Sequence, residues 1–153
     1  MIHSFEQMES LVTGSGKTHR IAVAWAQDTN TLSAVGKAVS KGFVQAFLIG
    51  NPDKIIATCR SESIDHRSFS IVEAKNEFAA AEEAVRMAKE DEADIVMKGL
   101  VGTDKFLKAV MNKEKGIMLP GAVLSYVCAI QMPAYHKLLF VTDPAVIPFP
   151  DLD

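Results

Sequence analysis

A chain of 153 residues is long enough for one domain with a core of its own. Its 48% hydrophobic and 23% charged residues exclude a disordered chain, and a net charge of -3 with 7% aromatics excludes the basic, base-stacking surface of a nucleic-acid binder. No apolar run approaches bilayer length, the polar and acidic start does not read as a signal peptide, and the two lone cysteines, Cys59 and Cys128, fit reduced thiols, so a cytoplasmic protein with no membrane partner is expected.

The first element is a short amphipathic helix over residues 2–11, with Phe5, Met8 and Val12 at helical spacing and Gly14-Ser15-Gly16 ending it. Residues 20–26 are an unbroken apolar run, as expected of a strand covered on both faces. Asp28 caps a helix to about residue 41, with Leu32, Val35, Gly36 and Val39 on its apolar stripe. A second strand covers residues 44–49, and Pro52 opens a short helix to about residue 60. Residues 69–72 are a third strand. Asn76 caps the most helical segment of the chain, 77–90, whose Ala81, Ala84, Val85 and Ala88 share one face.

Residues 94–106 read as a buried strand (Ile95-Val96-Met97), a glycine turn (Gly99, Gly102) and a helix capped by Thr103 that runs to about residue 113. Residues 116–121 form a loop, 122–132 a long strand, and 138–141 another after a short turn, which makes that last pair antiparallel. The tail after Thr142 carries Pro144, Pro148 and Pro150 and excludes regular helix or central strand. Alternating strands and helices predict an α/β domain over residues 1–142, three-layer α/β/α around a mostly parallel sheet, with 143–153 as a proline-rich exit segment.

Several chemistries fail on spacing. Gly14-Ser15-Gly16-Lys17-Thr18 looks like the end of a phosphate-binding loop, but position 11 is Leu11, and the segment follows a helix and opens a strand instead of the reverse. His3, His19, His66 and His136 are scattered and do not stand at metal-ligand spacing, so no metal is expected. A Gly-x-Ser-x-Gly elbow is missing, and the turn after the first strand, Gln27-Asp28-Thr29-Asn30, lacks the glycines of a dinucleotide fingerprint. Lys98, Gly99, Gly102 and Thr103 remain. They fit either a tight strand-to-helix turn with a capping threonine and a solvent-facing lysine, or a phosphate site in which N–H groups of a helix start, the Thr103 hydroxyl and the Lys98 ammonium meet an anion. Ser125 on the long strand is a further candidate against the ordinary backbone-bonded serine, and Asp143 is either a site residue or a turn former.

The chain resembles the phosphate acetyl/butyryltransferases, most of all the butyryltransferases. The resemblance runs through residues 20–24 with Asp28, residues 44–50 and the alanine-rich helix. It is most specific over 93–101 with Thr103 and 106–110, and it continues through 124–127, 133–139 and 141–150. It implies reversible transfer of an acyl group, butyryl or another short one, between coenzyme A and inorganic phosphate. It further implies a two-domain α/β/α protein with the site in an interdomain cleft, usually a homodimer, with coenzyme A as substrate and no cofactor. By that resemblance the principal catalytic residues belong to a second domain, this chain is the N-terminal domain with little activity alone, and Lys98, Gly99 and Thr103 face the cleft; with Gly102, Ser125 and Asp143 they make up the expected phosphate-binding set. The family often has an arginine where this chain has Ala122 and a histidine where it has Tyr126. The competing expectation is a non-catalytic module that binds phosphate or acyl phosphate, or a dimerisation domain.

Overall fold

A computed structural model describes residues 2–142. In chain order the elements are α1 (Phe5–Gly14), β1 (His19–Ala24), α2 (Thr29–Ser40), β2 (Val44–Gly50), α3 (Pro52–Ser61), β3 (Ser70–Glu73), α4 (Glu77–Lys89), β4 (Ile95–Lys98), α5 (Thr103–Val110), β5 (Val127–Ile130) and β6 (Leu139–Thr142), with a 3-10 turn at His66–Ser68. The proline-rich segment 143–153, with Asp143, lies outside the described residues. The described residues form two compact units, one from residue 16 to 120 and one that joins residues 2–15 to residues 121–142.

The larger unit is a four-stranded sheet in the order β3-β2-β1-β4 with every pairing parallel. Parallel strands need helical crossovers, and the sequence places a side-chain cap at the start of each long one. Asp28 accepts from the Thr31 N–H at 3.0 Å, Asn51 from Lys54 at 2.9 Å and Asn76 from Ala79 at 2.9 Å, and Pro52 occupies the first turn of α3, where its missing N–H costs nothing. The two sheet faces carry separate cores. Leu32 and Val35 of α2 and Ile55 and Cys59 of α3 pack on Val23, Ala46 and Leu48. Ala80, Ala81, Ala84 and Val85 of α4, with Ala109 and Val110 of α5, pack on Ala22, Ala24 and Ile49. The result is the three-layer α/β/α arrangement expected from the sequence. Ala22, Val23 and Ala24 are each 0% exposed, as a central strand covered on both sides requires.

β4 is not a buried strand. It pairs only with β1 among the described residues, and Ile95 is 41% exposed while Val96 and Met97 are half-buried. Its start is fastened from the side by charge. The Arg20 N–H donates to Asp94 Oδ2 at 2.7 Å, the Asp94 N–H donates to the Arg20 carbonyl at 2.8 Å, and the guanidinium donates to both Asp94 oxygens.

The smaller unit holds α1 and a two-stranded antiparallel sheet, β5 with β6. Ser4 caps α1 by accepting from Gln7, and the Gln131 side chain accepts from the Phe5 N–H at 2.7 Å. Among the described residues, Val127–Ile130 of the expected long strand is paired, with Leu139–Thr142 of β6. Ser125 therefore stands in irregular chain ahead of β5, and it is exposed.

Candidate functional site

The strand order decides where the larger unit can hold a ligand. From β1 the chain adds β2 and then β3 on one side, and it crosses back to place β4 on the other side of β1. The carboxyl ends of β1 and β4 are therefore the topological switch point, where the following helices leave towards opposite faces and open a crevice. The β1–α2 turn and the β4–α5 turn are its two lips.

These lips are held together by backbone. The Gly99 N–H donates to the Ala24 carbonyl at 2.9 Å, and the Leu100 N–H donates to the Trp25 carbonyl at 3.1 Å. A Cβ at Gly99 would lie 2.6 Å from the Ala24 oxygen and 2.9 Å from the Trp25 oxygen, so only glycine lets the two main chains approach this closely. Trp25 takes φ 56°, in the left-handed region that side chains rarely adopt. Strain of this kind persists where the surrounding structure enforces it, and it gathers at functional edges. Beyond Trp25, one Asp28 oxygen caps α2, while the other, Oδ2, is buried with no hydrogen-bond partner among the described residues. Burial works to raise the Asp28 pKa, but the Thr31 hydroxyl and the N–H groups of the turn hold it below the ordinary carboxylate range.

Lys98 is the last residue of β4, level with Ala24 in register, and its side chain is exposed. The α5 helix begins at Thr103, but the residue in the cap position is Gly102, with φ -57° and ψ 135°, and there is no side-chain cap bond. Thr103 is thus the first helical residue and not the N-cap expected from the sequence. An Asx- or Ser/Thr-type cap needs the side chain one residue earlier, where this chain has none.

The group that takes over is Glu77, the first residue of α4. Its Oε2 accepts from the Gly102 N–H at 2.9 Å, and its Oε1 is paired with the Lys105 ammonium. The N-termini of α4 and α5, both at this edge, thus share one carboxylate. Lys105 and then the Gly102 N–H hold the Glu77 carboxyl below its ordinary value, with a smaller contribution from the Lys98 charge. Lys105 is correspondingly raised by Glu77. Among the described residues no cluster of three His, Cys, Asp or Glu side chains could hold a metal ion.

Of the six positions expected to hold phosphate, the structure brings Lys98, Gly99, Gly102 and Thr103 into one turn at the switch point. Ser125 belongs to the other unit, and Asp143 is outside the described residues. The sequence reading missed Glu77, Lys105 and Trp25. Glu77 stands beside the Asn76 cap as one of several acids on a polar helix face, and its target is 25 positions away. Chemically, a cation and a helix start beside a crevice can hold and neutralise an oxyanion.

No family model matches the chain. It is 38% identical over 152 residues to the phosphate butyryltransferase of Clostridium acetobutylicum, across 99% of this chain and 50% of that protein. A phosphate acetyltransferase of Rickettsia typhi is 27% identical across 90% of this chain and 39% of its own length. The fold superposes with a TM-score of 0.70 on a branched-chain phosphotransacylase from Enterococcus faecalis, at 24% identity and over 88% of this chain and 46% of that one. The chain spans about half the length of these relatives, and over that span it is similar to phosphate butyryl- and acetyltransferases.

Proposed function

We propose that this chain supplies the phosphate-holding wall of a cytoplasmic phosphate acyltransferase, which moves butyryl or another short acyl group reversibly between coenzyme A and inorganic phosphate. The observation that carries this reading is the β4–α5 turn. Lys98, Gly99, Gly102 and Thr103 stand together at the switch point of a parallel sheet. Attack of a coenzyme A thiolate on an acyl phosphate expels phosphate, and the reverse reaction needs phosphate held as a nucleophile. Both directions require the phosphate oxygens to be oriented and their charge offset, which an ammonium and a helix start provide. In this reading Lys98 acts as a point charge on the phosphate, and Gly99 permits the close main-chain approach that shapes the turn. The Thr103 hydroxyl is a hydrogen-bond donor to the phosphate.

The relatives are about twice as long, and we assign to this half, as the N-terminal α/β domain, substrate holding without the principal catalytic groups. Coenzyme A thioester and phosphate are its substrates, a homodimer its assembly, and no cofactor or metal takes part. A thiol-release assay with butyryl-CoA and phosphate tests the division of labour. The 153-residue chain is expected to give little or no turnover while binding phosphate in calorimetry. Robust turnover would contradict the assignment of the chemistry to the other half.

A further inference from the structure

The Glu77 carboxylate engages the donors that a phosphate at the start of α5 would need. Carboxylate and phosphate oxygens accept the same donors, and the Gly102 N–H has one hydrogen to give. That hydrogen goes to Glu77 Oε2 at 2.9 Å. The nearby Lys105 ammonium is engaged by the other oxygen of the same carboxylate. A phosphate placed at the start of α5 therefore meets a resident negative charge on the very donors it needs, and like charges at such range repel.

The carboxylate is also free to leave without unmaking the fold. Asn76, not Glu77, caps α4, through the bond from the Ala79 N–H at 2.9 Å. The Glu77 side chain is 30% exposed and that of Lys105 46%, so the pair is a solvent-screened one of modest worth. The hydrophobic anchoring of α4 comes from Ala80, Ala81, Ala84 and Val85, all further along the helix. An anion already bridges the start of α5 and an ammonium, and the N-terminus of α4 adds its own positive end to that of α5.

Resting on the phosphate-site reading above, we propose that Glu77 is a built-in competitor for phosphate: its carboxylate fills the anion position at the start of α5, and phosphate binds there only when that side chain swings away. Glu77 thereby sets the phosphate affinity of the site and excludes weaker anions from it.

The test is titration of inorganic phosphate into the nitrogen-15-labelled chain at constant ionic strength, following the Gly102 amide, for the wild type, Glu77→Gln and Lys98→Ala. The glutamine variant keeps an acceptor for the Gly102 N–H and removes the charge; Glu77→Ala serves if it melts early. Glu77→Gln is expected to bind phosphate about fivefold more tightly, the factor that corresponds to loss of one exposed charge pair. The Gly102 amide should then shift at a lower phosphate concentration than in the wild type. Unchanged or weaker binding in Glu77→Gln and Glu77→Ala, with Lys98→Ala still weakening it, would overturn the competitor role and leave the phosphate site standing. No phosphate response in either the wild type or Glu77→Gln would overturn both.

Discussion

Replacing Gly99 by alanine tests the geometry on which the crevice depends. The added Cβ would sit 2.6 Å from the Ala24 carbonyl oxygen and 2.9 Å from that of Trp25. Both obstacles are main chain, and both are tied back to the same turn by the Gly99 and Leu100 N–H bonds, so neither can move aside alone. Relief requires the β4–α5 turn to lift off β1. Forcing an extra methyl into a closed contact costs about 1–3 kcal/mol, and loosening one of the two hydrogen bonds adds about 1 kcal/mol. The expected loss is therefore about 2–4 kcal/mol, a large part of the ~5–15 kcal/mol by which a domain is stable. Urea unfolding followed by the fluorescence of Trp25, the one tryptophan of the chain, reports from the contact itself. Gly102→Ala is the control. There the backbone suits any residue, and the added atom comes within 2.7 Å of the end of the Asp104 side chain, which can rotate, and lies at ordinary contact, 3.9 Å, from Glu77 Oε2. That variant should lose no more than about 1 kcal/mol, the scale of a lesser helix cap. Equal losses in the two variants would refute the close approach of the β1 and β4 ends.

Asn76→Ala removes the side-chain cap of α4 and should lower the unfolding free energy by about 1 kcal/mol in the same urea assay. The Asp94 carboxyl, held at about 2 against an ordinary 3.8 by hydrogen bonds from the Arg20 side chain and N–H, adds stability that is complete above its unfolded value. That stability is lost as pH falls from about 4 through about 2, so Asp94→Asn should flatten the acid limb of a pH–melting curve and leave its slope near neutrality alone. Burial pushes the Cys59 thiol up, so it should resist alkylation in the folded chain and react once urea unfolds it, as mass spectrometry can follow.

The local parts of this fold were legible in the sequence. Asp28, Asn51 with Pro52, and Asn76 signal helix starts through bonds spanning three residues, which any reader of the chain can see. The parallel sheet followed from alternation, and the apolar β1 run announced a strand covered on both faces. What failed was non-local. The apolar stretch 122–132 reads as one strand, but pairing is a matter of the partner, and among the described residues Val127–Ile130 is the paired part. Ile95-Val96-Met97 reads as buried, but exposure depends on whether a strand lies on the far side of β4. Thr103 reads as a cap because threonine is a good one, yet the capping charge at α5 arrives from Glu77 across the sheet edge. The Arg20–Asp94 clamp likewise joins residues 74 positions apart. Composition and spacing can place a turn, but they cannot say which distant side chain will occupy it.

Phosphate binding by the turn from Lys98 to Thr103 is the property on which the proposed function rests. Calorimetric titration of inorganic phosphate into the chain and into Lys98→Ala measures it directly. Saturable binding by the chain, weakened about five- to tenfold in Lys98→Ala as expected for loss of one charge-assisted contact, is the predicted result. Identical phosphate isotherms for the two, or no binding by either, would contradict it.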